Sequence, residues 1–261
     1  MVSSQNNSLS SPASINIQKI PKISVVTVTY NSVEVILDTL ASVTNQTYPN
    51  VEYIVIDGSS SDGTQEVVCT YLNKLAYYVS ESDNGPYDAM NKGIDVATGD
   101  WIIFINSGDY FVDDNIISKV FDRAIGQNID FVYGDYIWKG VKHEKRIASR
   151  PLNGMWQRIS FSHQSLFSRT KLMKEKKFDL RYKIVSDYNF YFSSYMEGCR
   201  FLKVDMPISI FRAGGLSDIN FFRRTCERWR VVTRYQNKLK VHLYYLYFLL
   251  SHYTKKIVLN R

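Results

Sequence analysis

The sequence is poor in cysteine, and this excludes two classes of small stabilised domain. Its 261 residues include three cysteines, Cys69, Cys199 and Cys226, which lie far apart and are odd in number. No Cys-x-x-Cys pair and no Cys/His spacing of the zinc-finger type occurs, so neither a disulfide framework nor a structural zinc site is expected. We therefore expect a reduced, cytoplasmic protein that is stabilised by a hydrophobic core.

The chain also lacks a long apolar run. Its most apolar stretch, VHLYYLYFLL at 241–250, is about half the length that a transmembrane helix needs. The first residues are rich in Ser and Asn and hold no apolar run of the signal-peptide kind, so we predict a disordered leader over 1–21. With 45% hydrophobic and 22% charged residues, the rest is expected to form one sizeable globular domain with an appendage.

Acidic residues are almost absent from the end of the chain. Residues 222–261 contain ten Lys or Arg and one acid, Glu227, for a local charge of +9, and the rest of the chain carries a net −2. We predict a basic, aromatic helical tail over 221–261, whose basic residues between 223 and 238 share one half of a helical wheel. This pattern is typical of a helix on an anionic bilayer, and packing against the domain is the alternative. Nucleic-acid binding is not expected, because no recognition module accompanies the charge.

Strand-like and helix-like segments alternate from residue 22 onward. KISVVTVTYN, VEYIVIDG and DWIIFINSGD predict buried strands, and apolar residues at helical spacing lie between them. The alternation predicts an α/β fold over 22–220, with a mostly parallel mixed sheet and right-handed crossovers. Ligands of such sheets bind beyond the carboxyl ends of the strands, where Asp57 and Asp109 fall.

Four segments in this order resemble the family 2 glycosyltransferases of the GT-A fold: ISVVTVTYNS, VIDGSSSDGT, DNGPYDAMNKGI and FINSGDYF. Within that family the chain looks most similar to enzymes of bacterial surface-polysaccharide synthesis of the colanic-acid type. The resemblance implies a Rossmann-like GT-A domain with a C-terminal helical extension. It also implies an inverting, metal-dependent hexosyltransferase that uses a nucleotide-sugar, UDP-linked, and Mg²⁺ or Mn²⁺. The implied acceptor is a saccharide or lipid-linked saccharide at the inner face of the cell membrane, which the tail would contact.

The resemblance also implies roles for individual residues. NSGD lies at the position of the family's DxD motif; Asn106 and Gly108 stand where acids are usual, so Asp109 is the carboxylate left to bind the metal. In IVSDYNFYF, Ser186 stands in the position of a Glu, and Asp187 is the expected catalytic base. The residues expected to bind the nucleotide-sugar are Thr29, Tyr30, Asn31, Asp57, Asp83, Asp88, Lys92, Asn106, Ser107, His163, Gly214 and Gly215.

Most of these residues also have a structural interpretation. Asp57 could cap a helix, although Asp62 is better placed to do so. Asp88 and Lys92, four residues apart, could form a surface pair on one helix. Asp109 could bind backbone N–H groups in a turn, and Asp187 could cap a helix as well as act as a base.

Two other function classes stay open at this point. A nucleotidyltransferase would also combine a nucleotide-binding α/β domain with a carboxylate-held metal, but TYNSVEV offers no glycine-rich phosphate loop. A non-catalytic nucleotide-sugar-binding module is compatible with the reduced NSGD motif, and the presence of Asp187 argues against it.

Overall fold

The computed structural model describes residues 20–124, 128–214 and 221–259, so most of the predicted leader and Gly215 lie outside the described residues. The strands are β1 (Ile23–Thr29), β2 (Val51–Asp57), β3 (Tyr77–Ser80), β4 (Trp101–Phe104), β5 (Tyr110–Phe111), β6 (Phe131–Lys139), β7 (Glu144–Ile147), β8 (Leu166–Arg169) and β9 (Phe201–Arg212). The helices are α1 (Ile36–Thr44), α2 (Thr64–Cys69), α3 (Pro86–Val96), α4 (Ile116–Ala124), α5 (Thr170–Lys176), α6 (Ser186–Met196), α7 (Phe221–Thr233) and α8 (Lys238–Leu259). Short 3₁₀ turns lie at Leu72–Lys74, Leu152–Gly154 and His163–Ser165.

These strands form one mixed sheet, in the order β3-β2-β1-β4-β8-β6-β9-β5, with β7 paired to β6. β1 pairs in parallel with β2 and β4, and β2 with β3, whereas β8 joins β4 and β6 in the antiparallel sense. The parallel register brings Thr29 of β1 beside Asp57 of β2. The carboxyl ends of the first strands therefore meet at one edge, as the strand–helix alternation predicted.

The sheet is covered on both faces, which explains why β1 is buried along its whole length. All seven residues of β1 are buried. Val26 and Val28 belong to a hydrophobic cluster on one face, and Ile23 and Val25 to a second cluster on the other. A central parallel strand with helices on either side has no solvent face, so alternation of apolar and polar residues is not expected there.

The C-terminal segment forms two helices that pack on the domain. Val231 and Val232 of α7 and Val241 and Tyr245 of α8 are buried in the larger of the two clusters, which also contains residues of α6. The chain turns between the helices, where the Asn237 side chain accepts the Lys240 N–H at 3.1 Å. A single helix across 223–238 is therefore not formed, and α7 ends at Thr233.

Part of the basic face of α7 contacts the domain. The Arg228 guanidinium lies 4.8 Å from the centre of the Tyr188 ring, and that of Arg234, just beyond α7, lies 5.5 Å from the Tyr182 ring. Wheel positions alone could not reveal this, because both aromatic partners come from the distant 182–188 segment. Within the described part of the chain, none of the helices is sufficiently long and apolar to cross a bilayer.

Candidate functional site

A cleft of about 1010 Å³ opens at the carboxyl ends of β1, β2 and β4. Both the loops after these strands and the segments 183–184 and 211–214 contribute to its walls. The predicted site residues that line the cleft are Thr29, Tyr30, Asp83, Asn106, Ser107, Asp109, His163 and Gly214. The edge of the sheet selected from the strand pattern is thus where the structure has its large concave site.

At one end of the cleft a tyrosine and a carboxylate lie close together across a glycine. Tyr30 is 63% exposed although it is aromatic and follows a buried strand. A Cβ at Gly58 would lie 2.6 Å from Asp83 Oδ2 and 3.3 Å from Tyr30 Cδ2, so a side chain at Gly58 would displace one of them. Asp83 is held in turn by the Gly85 N–H, which donates to Oδ1 at 2.8 Å. An exposed ring beside a carboxylate can stack on a heterocyclic base and accept its N–H.

Asn31 and Asp57 lie behind this end of the cleft and connect its loops. Asp57 is fully buried, and its carboxylate accepts the Ser60 N–H at 2.9 Å and the hydroxyls of Ser60 and Ser80. The Asn31 N–H donates to Ser60 Oγ at 2.8 Å, and its side-chain oxygen accepts the Ser61 N–H at 2.9 Å. Both side chains hold the two loops in place, and neither lines the cleft.

Asp88 and Lys92 of α3 also lie outside the cleft lining. Asp88 accepts the Asn84 N–H at 2.9 Å in the turn that begins the helix. The Lys92 ammonium is 2.8 Å from Glu81 and donates to the Ser82 carbonyl at 2.8 Å. The surface pair between Asp88 and Lys92 is thus replaced by contacts of each residue with the preceding loop.

The strand-tip motif NSGD forms a turn that directs Asp109 into the cleft wall. The Asp109 N–H donates to the Asn106 carbonyl at 2.9 Å, and Gly108 has a φ of +91°. Asp109 is 5% exposed; Oδ1 accepts the Arg212 N–H at 3.0 Å and Oδ2 accepts Gln164 Nε2 at 2.8 Å. Burial raises the pKa of Asp109 to about 6, against the opposing effect of these two hydrogen bonds.

The donor atoms around this turn fit a hard divalent cation. In the described residues there is no group of three or more His, Cys, Asp or Glu side chains that could hold a metal, so Asp109 would need other oxygen ligands. Asn106 Oδ1 is buried and has no hydrogen-bond partner among the described residues. Buried polar atoms are rarely left unpaired, and Mg²⁺ and Mn²⁺ take carboxylate, amide and phosphate oxygens.

Asp187 lies in the first turn of α6, directly behind the cleft wall. Its Oδ1 accepts the Tyr87 hydroxyl at 2.7 Å, and its Oδ2 is 3.1 Å from His163 Nδ1. The other ring nitrogen, His163 Nε2, is 3.1 Å from Asn106 Nδ2. Burial alone would raise the pKa of Asp187, but hydrogen bonds from His163 and Tyr87 and the charge of His163 hold it below its usual range. A hydrogen-bonded row therefore connects Asp187 with the strand-tip turn.

The cleft also contains functional groups that the sequence analysis did not single out. Tyr87 lies in the segment DNGPYDAMNKGI beside Asp88, and Gln164 directly follows His163, so each adjoins a predicted site residue in the sequence. Lys183 and Arg212 bring two cationic side chains to the lining. Their charge alone did not distinguish them from the many other Lys and Arg residues of the chain.

Comparison with known proteins identifies the family that the four sequence segments resemble. The model of the family described as "Glycosyl transferase family 2" matches residues 24–195. A PGL/p-HBAD biosynthesis glycosyltransferase of Mycobacterium bovis is 28% identical over 232 residues, which cover 85% of this chain and 90% of the relative. Glycosyltransferase GlyG of Streptococcus pneumoniae is 31% identical over 117 residues, or 44% of this chain and 38% of GlyG.

Two solved structures have the same fold. S. aureus TarS 1–349 in complex with UDP-GlcNAc matches with a TM-score of 0.65 and 21% identity, over 89% of this chain and 73% of that chain. The mannosyltransferase PcManGT from Pyrobaculum calidifontis, in complex with GDP-Man and Mn²⁺, matches with a TM-score of 0.66 and 17% identity, over 86% and 70% of the two chains. The chain spans 43% of a longer TarS chain. The expected GT-A fold with C-terminal helices is confirmed, whereas none of these matches specifically supports the colanic-acid type.

Proposed function

Because the chain belongs to glycosyl transferase family 2, we propose that it is an inverting transferase that moves a sugar from a UDP-sugar to an acceptor hydroxyl. The observation that carries the proposal is the composition of the cleft. At one end of the cleft an exposed tyrosine lies beside a carboxylate. At the other end lies the turn of Asn106 and Asp109, and Asp187 lies behind His163 there. Donor binding and leaving-group neutralisation each have residues of suitable chemistry in the cleft lining, and Asp187, directly behind the wall, has the chemistry for proton removal.

The nucleoside would bind at the Tyr30 end. The exposed Tyr30 ring offers a stacking surface for the base, and Asp83 offers an acceptor for its N–H. Structural relatives support a nucleotide-sugar donor and differ in its nucleotide, since TarS is seen with UDP-GlcNAc and PcManGT with GDP-Man. We propose UDP, and keep GDP as the comparison in the experiment.

The diphosphate would lie beside the strand-tip turn and the cationic side chains of the cleft lining, of which Arg212 adjoins the turn through the bond from its N–H to Asp109. Asp109 and Asn106 would hold Mg²⁺ or Mn²⁺, which when bound supplies positive charge against the departing diphosphate. Arg212 and Lys183 line the same cleft and add two positive charges from the protein itself. Lys92, which pairs with Glu81, is a weaker candidate for this contact than either of them.

Asp187 would act as the base. As the acceptor oxygen bonds to the anomeric carbon and the bond to the diphosphate oxygen breaks, the hydroxyl proton passes to the Asp187 carboxylate. Hydrogen bonds from Tyr87 and His163 orient this carboxylate, and its side chain retains 15% exposure. Each carboxylate oxygen accepts only one of these two bonds, so a lone pair remains for the incoming proton.

The acceptor is proposed to be lipid-linked, with α8 as the membrane contact. The face of α8 opposite the buried Val241 and Tyr245 is apolar and exposed. It consists of Leu239, Leu243, Leu246, Tyr247, Leu250 and Tyr253, which we call the α8 stripe. Lys238 and Lys240 flank its beginning, in a segment with ten basic residues and one acid. An apolar helix face bordered by cations fits the surface of an anionic bilayer.

The membrane contact can be tested with two leucines that are equally exposed. Leu246 lies in the α8 stripe and is 49% exposed. Leu72 is also 49% exposed and lies in a 3₁₀ turn that is distant from α8 in the sequence. Leu246→Glu should abolish sedimentation with vesicles of phosphatidylglycerol, whereas Leu72→Glu should sediment like the unmodified protein. Sedimentation with phosphatidylcholine alone should be weak for all three. If the stripe instead joins two copies of the chain, light scattering will show a dimer that Leu246→Glu dissociates, and vesicle binding will not depend on the stripe.

The donor site is tested by calorimetric titration of UDP and GDP, each with and without Mn²⁺. We expect UDP to bind tightly only with Mn²⁺, and Asp109→Ala to remove the effect of the cation. Release of UDP from UDP-sugars should then be lost in Asp187→Asn while UDP binding persists. No binding of either nucleotide would contradict the donor site. Binding with full turnover in Asp187→Asn would remove Asp187 as the base, and binding without any turnover in the unmodified protein would favour a binding module.

A further inference from the structure

We infer that Glu227, the one acidic residue of the basic tail, is a positioning residue of the active site. Glu227 lies in α7 and is 5% exposed. Its carboxylate accepts three consecutive backbone N–H groups, from Lys183 at 3.2 Å, Ile184 at 2.9 Å and Val185 at 3.3 Å. Arg223 Nε donates a fourth hydrogen bond to it at 3.0 Å.

These three N–H groups belong to the segment that leads into α6, whose first helical residue is Ser186. Val185 is the N-cap residue, and Lys183 and Ile184 precede it, so their N–H groups lie outside the hydrogen-bond pattern of the helix. Glu227 supplies an acceptor for all three from a different helix, about forty residues further along the chain. Its carboxylate also places a negative charge near the positive end of α6.

The segment 183–185, which Glu227 holds, leads directly to the cleft and to Asp187. Lys183 and Ile184 line the cleft. The Tyr87 hydroxyl is 2.8 Å from the Ile184 carbonyl and 2.7 Å from Asp187 Oδ1, so the same side chain contacts the segment 183–185 and the proposed base. Loss of the Glu227 carboxylate would free three N–H groups two to four residues before Asp187. The position of Asp187 relative to the acceptor hydroxyl would then be less well defined.

The experiment separates positioning from stability with a matched control. Glu52 is also a 5% exposed carboxylate, and it accepts the Thr98 N–H and the Ser24 hydroxyl, each at 2.7 Å, at the opposite edge of the sheet. UDP release from UDP-sugars, or GDP release from GDP-sugars, gives kcat, and calorimetry with the corresponding diphosphate and Mn²⁺ gives Kd. Glu227→Ala should lower kcat on the order of 100-fold, because small misplacements of a catalytic group cost about that much. Its Kd should change far less than kcat, because Lys183 is the one proposed donor-binding side chain that belongs to the 183–185 segment.

Two further variants make the outcome decisive. Glu227→Gln keeps one acceptor oxygen and should fall between Glu227→Ala and the unmodified protein in kcat; it also decides the matter if the alanine variant does not fold. Glu52→Gln should lower the melting temperature and leave kcat unchanged. If both glutamine variants lower kcat in proportion to their loss of stability, or if neither Glu227 variant changes kcat, the positioning role is overturned.

The inference rests on the proposed role of Asp187, so Asp187→Asn is measured beside the Glu227 variants. If Asp187→Asn abolishes turnover and Glu227→Ala does not lower it, the inference about Glu227 is wrong and the proposed function stands. If Asp187→Asn retains turnover, the proposed base is wrong and the inference falls with it. A decrease in both, with nucleotide binding intact, is the result we expect.

Discussion

Replacing Asp109 by asparagine should stabilise the metal-free protein at neutral and higher pH while it removes cation-dependent nucleotide binding. Asp109 is 5% exposed, and burial raises its pKa from 3.8 to about 6. Below about pH 4 the carboxyl is protonated in both the folded and the unfolded chain. As the pH rises through about 6 the folded protein must hold a charge that burial disfavours. A pKa difference of about two units corresponds to ~3 kcal/mol, which is the largest stabilisation that the substitution could bring.

The hydrogen bonds around residue 109 decide how much of this ~3 kcal/mol of stabilisation the asparagine variant gains. An asparagine oxygen can accept the Arg212 N–H as Asp109 Oδ1 does, but the new NH₂ group would face Gln164 Nε2. A flip of the Gln164 amide would turn its oxygen toward the new NH₂, and Ser162, whose hydroxyl now donates to that oxygen, can accept instead. We therefore expect Asp109→Asn to stabilise the protein by about 1–3 kcal/mol near pH 8, and by nearly nothing near pH 4.

Urea unfolding in EDTA at about pH 4, 6 and 8 measures this difference, with Asp135→Asn as the matched control. Asp135 is also a buried aspartate, but hydrogen bonds from Ser149 and Arg146 outweigh burial and lower its pKa. Its replacement should destabilise the protein at pH 8. The reasoning is refuted if Asp109→Asn destabilises the protein at pH 8, or if its effect does not change between pH 4 and 8. In calorimetry, Mn²⁺ should no longer increase the UDP affinity of Asp109→Asn.

Three further substitutions test other parts of the argument. Burial opposes the ionisation of Glu52, but hydrogen bonds from Lys22, Thr98 and Ser24 lower its pKa from 4.5 to about 2. Glu52 should therefore contribute up to ~3 kcal/mol to the free energy of unfolding above pH 4.5, and this contribution is lost as the pH falls toward 2. Acid unfolding of Glu52→Gln, followed by circular dichroism, should begin at a higher pH than that of the unmodified protein. Gly93→Ala would place a Cβ 2.5 Å from Val26 Cγ1 between α3 and β1 and should cost about 1–3 kcal/mol in urea unfolding, with no change if the helix can shift freely. Tyr30→Ala should weaken UDP binding by about 1–3 kcal/mol in calorimetry, whereas Tyr30→Phe, which keeps the stacking ring, should bind almost normally.

The location of the cleft could be predicted from the sequence because it follows from strand ends. β1 is rich in β-branched residues and its end at Thr29 is followed directly by Tyr30 and Asn31, so the strand end is sharply marked. Parallel pairing places this end beside the end of β2. The break of the next apolar run at Asn106 marks the third strand end in the same way. These three positions fixed the edge of the sheet at which Tyr30 and Asp109 line a cleft.

Which polar side chains face the cleft could not be predicted, because loop hydrogen bonds decide it. Asp57 is the last residue of β2, and Asp83 comes shortly after β3. Ser60 and Ser80 bind the Asp57 carboxylate, whereas Asp83 reaches the cleft beside Gly58. Lys92, four residues after Asp88 on α3, is likewise expected from the sequence to bind the nucleotide-sugar, but its ammonium pairs with Glu81. No periodicity in the sequence records these partners, since each is set by the path of a loop.

The tail illustrates a limit of charge patterns that has a physical cause. Residues 222–261 contain ten basic residues and one acid, Glu227, so the net charge of the segment predicts a basic surface and gives Glu227 no role of its own. A carboxylate in a cationic segment could find partners at the surface, yet Glu227 is buried against three main-chain N–H groups of the 183–185 segment. Burying a charge is unfavourable unless it is well hydrogen-bonded, so a single charge of minority sign that is nevertheless buried indicates a specific partner. Main-chain partners have no sequence signature, and for this reason only the structure connects the tail with Asp187.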